Sequence, residues 1–183
     1  MKTEYAGICK DILKSDSRNP VTVAEAIMKK NPVPLHGPLH HFLDGAAFLA
    51  ACRNSGMETD LEQALEKLAL QAEKIPGAIC GNWGICGAVA SVGAAMSVLH
   101  GTGPLSDNSF YKDHMEYTSR VLAAMSGIGG PRCCKRNAFL ALETAALFMN
   151  EKYGIPLETS SVKCTFYGSN RQCIRSRCPF FPL

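Results

Sequence analysis

A chain of 183 residues suits one domain spanning 1–183 and buries enough of its surface to form a core without covalent staples. With 46% hydrophobic and 19% charged residues it is no disordered chain, and a net charge of +3 carries no global nucleic-acid footprint. The first twenty residues lack an apolar signal core and no run of about 18 apolar residues follows, so a cytoplasmic protein with neither membrane nor nucleic-acid partners is expected.

Helical periods follow one another along the chain. The first predicted helix covers about Glu4 to Lys14, and the second opens at Thr22 as N-cap with Glu25 three residues on. The third runs from Pro38 to Arg53 and the fourth from Thr59 or Asp60 to just before Pro76. A fifth, from near Gly84 to His100, is built almost entirely of small residues and is expected at the centre of the bundle, since small side chains let helices approach closely. A sixth spans Ser109 to Met125 and a seventh runs from Pro131 to Lys152. From 160 to 183 no period survives. The expected fold is all-α: a single compact bundle of six or seven helices with an irregular, cysteine-rich C-terminal tail. That tail has few apolar residues before its end, so its order is expected from ligation rather than from a core of its own.

Nine cysteines are the anomaly, and an odd number in a reducing compartment points away from a paired disulfide framework. Cys9 and Cys52 fall within amphipathic helices and read as small buried hydrophobes. The other seven sit at loop–helix junctions or in the tail. Cys80 and Cys86 bracket C-G-N-W-G-I-C-G, and Cys133 and Cys134 follow Gly-Gly-Pro in the first turn of the seventh helix. Cys164, Cys173 and Cys178 lie in the tail. Unsatisfied amides at a helix start, with Arg132, Lys135 and Arg136 beside them, favour thiolates and bound anions, so these three cations are candidate cofactor-binding residues. His36, His40 and His41 surround the start of the third helix, where imidazoles bind metal or move protons. His100 and His114 read as ordinary helix-end or surface residues.

Seven junction thiols exceed the needs of one zinc ion, and only Cys173-x4-Cys178 has a zinc-like spacing. The reading is an iron–sulfur cluster, of the 4Fe-4S type, on Cys164, Cys173 and Cys178 with a fourth ligand from Cys133 or Cys134. Cys80, Cys86, His36, His40 and His41 are then the candidate catalytic groups. A structural zinc module and a metal-free thiol–disulfide protein are the alternatives, the latter cycling Cys80/Cys86 or Cys133/Cys134. Enzyme and electron carrier both remain open, no substrate is named, and no phosphate-binding glycine loop occurs.

The set PLHGPLHHF, CGNWGICG, GGPRCCKR and C-x8-C-x4-CPFF resembles an uncharacterised cysteine-rich domain family of anaerobic archaea and bacteria, over about Pro34 to Pro182. The family is sometimes joined to methyltransferase-like domains. The resemblance implies that the three histidines and seven junction cysteines belong to its defining pattern and that any methyltransferase activity would need a partner protein, while the cluster reading adds an electron-transfer protein as candidate partner.

Overall fold

The computed structural model describes residues 3–183. Eight α-helices and no strand occur among them: α1 Thr3–Leu13, α2 Pro20–Lys30, α3 His40–Asn54, α4 Leu61–Ala72, the one-turn α5 Ile79–Asn82, α6 Gly87–His100, α7 Ser109–Ile128 and α8 Cys134–Tyr153. The all-α expectation holds. No helix among the described residues is long and apolar enough to cross a membrane.

The centre of the bundle is α3, not the small-residue helix. Every residue from His40 to Cys52 is buried, so α3 is apolar on all sides and must be surrounded. Helices α1, α2, α4, α6 and α8 pack around it. The small residues of α6 act at one close crossing. A Cβ at Gly45 would lie 2.6 Å from the Ser91 carbonyl oxygen, and the Gly45 amide donates to Ser91 Oγ at 2.8 Å. Cys9 and Cys52 lie in this core, as their helical positions implied.

Local chemistry moves three helix starts. The cap of α2 is Asn19, whose Oδ1 accepts from the Val21 and Thr22 amides at 2.9 and 3.2 Å; Pro20 supplies the first helical residue, and Thr22 lies inside the helix. The turn before α6 contains α5, so α6 begins at Gly87 with Cys86 as its N-cap. Pro131 and Arg132 stay outside α8 because the Arg136 guanidinium bonds the Gly129 and Pro131 carbonyls at 3.0 and 3.1 Å. The helix starts at Cys134, and its cap is the Cys133 sulfur, which accepts from the Arg136 amide at 3.5 Å.

The tail is irregular but for two 3-10 turns, Tyr167–Ser169 and Arg175–Arg177. Packing also holds it, which its composition did not suggest. Phe180 is buried edge-on against Phe139 of α8, and its carbonyl accepts from the Cys164 amide at 2.7 Å. Upstream, Arg18 pairs with Glu158 at 2.6 Å, and Asn19 donates to Ser160 at 3.0 Å.

Candidate functional site

The starts of α3, α6 and α8 come to one end of the bundle, and the tail lies beside the start of α8. Two cavities result. They meet at Cys133, which lines both.

The tail cavity brings together Cys133, Cys164, Cys173 and Cys178, with Lys135, Arg136 and Asn170 among its other walls; its empty space is about 410 Å³, mouth included. Each of the four sulfurs is met by a main-chain amide. The amide of Arg136 donates to Cys133, at 3.5 Å, and that of Arg175 to Cys173, at 3.4 Å. The Phe166 amide bonds Cys164 and the Phe180 amide bonds Cys178. Three of these amides lie two residues after their cysteine and one lies three after. Arg175 takes a left-handed backbone conformation, φ 51°, rare outside glycine, within this turn. Asn170 adds a side-chain donor to Cys133 at 3.6 Å. Burial pushes the thiols of Cys164 and Cys178 up, while the amide on each pulls it back toward thiolate.

Two cations complete this cavity. Lys135 is 1% exposed and Arg136 is 5% exposed. Neither belongs to an ion pair among the described residues. Lys135 Nζ lies 3.4 Å from the Val33 carbonyl oxygen and 4.9 Å from the centre of the Phe166 ring. Burial lowers its pKa to about 8. Arg136 keeps one buried nitrogen, Nη1, without a partner. Arg132 is exposed on the rim of the neighbouring cavity. No group of three or more His, Cys, Asp or Glu among the described residues is placed to hold a metal ion.

The second cavity has about 880 Å³ of empty space, mouth included, and lies between the starts of the three helices. His40, His41, Cys80, Cys86 and Cys134 line it together with Asn137. His40 Nδ1 is 3.2 Å from Asp44 Oδ1, both groups fully buried; His40 Nε2 and Asp44 Oδ2 have no partner. His41 bonds the Ile75 carbonyl through Nδ1 at 3.2 Å, and its ring lies where a side chain on Gly87 would stand: a Cβ there would be 2.1 Å from His41 Nε2. Cys86 receives Asn137 Nδ2 at 3.3 Å and the amides of Ala88 and Val89, while burial pushes its thiol up. Cys134 receives the Gly37 amide, and its thiol is pushed up to about 11, mainly by burial.

The adjacent cysteines therefore part company, Cys133 sharing the tail cavity and Cys134 only the helical one. His36 joins neither group. Its Nε2 is 3.3 Å from Asn170 Oδ1, so it links the loop before α3 to the tail residue that bonds Cys133. Asp44 escaped the sequence reading, although its position four residues after His40 on one helix was the available signal. Asn137 and Asn170 carried no sequence signal.

This chain matches, over residues 8–181, a family of unknown function, DUF5714. It belongs to that family. Neither curated proteins nor solved structures give a match. In this DUF5714 member the two cavities hold most of the junction cysteines and histidines.

Proposed function

We propose that the protein holds a 4Fe-4S cluster on Cys133, Cys164, Cys173 and Cys178 and serves electron transfer or cluster-assisted catalysis in anaerobic, cytoplasmic metabolism. One observation carries this reading. Four thiols share a cavity, each meets a main-chain amide, and the two buried cations beside them form no ion pair among the described residues, Asp44 acting on Lys135 only at longer range. A neutral thiol is a weak acceptor, so four directed amides suit thiolates better. Buried cations need compensating negative charge, which four thiolates supply. The cluster contributes one-electron transfer, and hydrogen bonds to its sulfurs set its potential.

Zinc draws four donors to one point, whereas a cubane takes each thiolate at a separate corner, so metal and sulfide content decides between them. The exposed face of the tail carries Lys163, Arg171, Arg175 and Arg177 with no acid after Glu158, which supports an acidic electron-transfer protein as partner. A methyltransferase remains the alternative partner that the sequence resemblance implies.

The test is anaerobic purification, with iron and sulfide analysis and a visible absorption spectrum. Brown protein is expected. Replacing Cys133, Cys164, Cys173 or Cys178 by Ala removes the colour, whereas Cys134→Ala, Cys9→Ala and Cys52→Ala keep it. Colourless protein with about one zinc per chain rejects the cluster in favour of the structural module. Metal-free protein with one reversibly oxidised cysteine pair favours the thiol–disulfide reading.

A further inference from the structure

The second cavity shares only Cys133 with the cluster reading, yet it contains unpartnered chemistry. His40 is 99% buried (1% exposed) and keeps Nε2 without a partner beside a void that Cys86 also lines. Nδ1 faces Asp44, so with the proton on Nδ1 the Nε2 lone pair is bare. Cys86 caps the 14-residue α6, where Asn137 and two main-chain amides surround its sulfur with donors suited to a thiolate. Cys80 lacks such donors, and His36, whose Nδ1 is also unpartnered, does not line this void. No carboxylate lines the void, and Arg132 stands on its rim.

We propose that this cavity is a second active site, in which Cys86 is the nucleophile, His40 its base and Asp44 the residue that positions His40, for a small anionic molecule carrying an electrophilic carbon. The proton of the Cys86 thiol passes to His40 Nε2 as the sulfur forms a bond to that carbon. The bond from carbon to its leaving group breaks, and the leaving group departs with the electron pair and takes the proton from His40. No electron is gained or lost. Without its open mouth the void is about 330 Å³, at the small end of the range of small-molecule sites, about 300–1,000 Å³. The charged and titratable groups around the pair are Asp44 and His41 on α3, Tyr117 on α7, Cys134 and Lys135 on α8, and His36 in the loop before α3. The site stands independently of the cluster.

Iodoacetate and iodoacetamide test it on protein purified without oxygen, with labelling of each cysteine followed by peptide mass spectrometry. Cys86 is expected to label roughly tenfold or more faster than Cys80, although Cys80 sits in the more open turn. Iodoacetate is expected to gain on iodoacetamide relative to the same pair acting on a free thiol. His40→Asn, and His40→Gln should the first variant not fold, slow Cys86 by roughly tenfold or more without changing Cys80. Asp44→Asn moves the pH–rate profile of Cys86, which a purely structural role would leave in place. Equal labelling of Cys86 and Cys80 overturns the proposal, as does a loss with His41→Asn but not with His40→Asn. Labelling of Cys164, Cys173 and Cys178 in colourless protein counts against the cluster alone and leaves the Cys86 ratio readable.

Discussion

At its first turn α6 faces His41 and the cavity of His40 and Asp44; at its last turn, about 21 Å away, it carries His100 against His114. Both ends place two imidazoles near an aspartate. At the far end the groups find one another: His100 Nδ1 meets His114 Nε2 at 3.2 Å, His114 Nδ1 meets Thr102 Oγ1 at 3.2 Å, and Tyr153 donates to Asp113 at 2.8 Å. His100 also stacks on Phe110 with ring centres 4.1 Å apart. At the near end they do so only in part: His40 Nδ1 meets Asp44 Oδ1 at 3.2 Å, and the second polar atom of each is left over. The buried side-chain atoms without a partner among the described residues are His36 Nδ1, His40 Nε2, Asp44 Oδ2 and Arg136 Nη1, and all belong to the near end. Such atoms cost stability. His40 and Arg136 line the two cavities and none of the four lies around His100, so the near end is the one whose polar groups are left incomplete.

The sharpest way to break this contrast is to remove the near-end polarity. Asp44→Ala leaves His40 Nδ1 buried and unpaired, and the expected loss in chemical denaturation is about 3–5 kcal/mol. The double change His40→Leu with Asp44→Leu removes both members, and its stability is expected close to that of the parent. A double variant as unstable as the single one would show that the pair is a structural tie like the one at His100.

Lys135 sharpens the contrast between the cavities. Lys135→Met removes a cation whose burial lowers its pKa to about 8, so cluster-free protein is expected to gain stability in denaturation below pH 8, where the folded chain holds that charge. In cluster-loaded protein the same change lowers the reduction potential, because a nearby positive charge favours the more negative, reduced state. A potential unchanged by Lys135→Met would separate Lys135 from any charge in the tail cavity.

The helical frame was legible because its signals are local: apolar periods, Asp60 as a cap, prolines and glycines at the breaks. Cys9 and Cys52 were readable as core for the same reason. The position of α3 at the centre was less so. Small residues in α6 advertised close packing, but centrality follows from burial on every side, and α3 has it because Phe42, Leu43, Phe48 and Leu49, all fully buried, fall on more than one side of the helix. The three tail cysteines and one of the adjacent pair were expected around a shared group, and four thiols do line one cavity. Which of the adjacent pair turns to the tail depends on one peptide step at a helix start, and spacing carries no such information. Asp44 and the His100–His114 pair depend on contacts between side chains, which residue types alone did not reveal.

At the far end the prediction concerns pH. Burial, with His114 adding to it, pushes the His100 pKa down to about 4, against about 6.5 for an ordinary histidine. Above pH 6.5 both folded and unfolded His100 are neutral and its contribution to stability is full. Between about 6.5 and 4 the unfolded chain takes up a proton that the folded chain refuses, so stability falls; below about 4 the loss levels off. A total of about 1–3 kcal/mol is expected, since His100 is only partly buried. His36, His41 and His114 are depressed in the same direction, so the measurement is the difference in urea stability between parent and His100→Gln across this range. A difference that does not vary with pH would mean that protonated His100 fits the fold as well as the neutral ring.

The smallest expected effect lies away from both ends, at the start of α2, and calibrates the others. Asn19 is half of a helix cap and half of a tie to the segment leading into the tail, through Val21, Thr22 and Ser160. Asn19→Ala is expected to cost about 1 kcal/mol, the usual loss for an N-cap side chain. Thr22→Ala, at the position where the spacing of Thr and Glu suggested the cap, is expected to change stability by less than about 0.5 kcal/mol. Ser160→Ala separates the two halves of Asn19. If the Ser160 bond matters to the tail, Asn19→Ala and Ser160→Ala each raise protease cleavage after Glu158, and the two changes together cost less than their sum. Additive losses with unchanged cleavage would confine Asn19 to capping and leave the cysteine cavity and Phe180 to hold the tail.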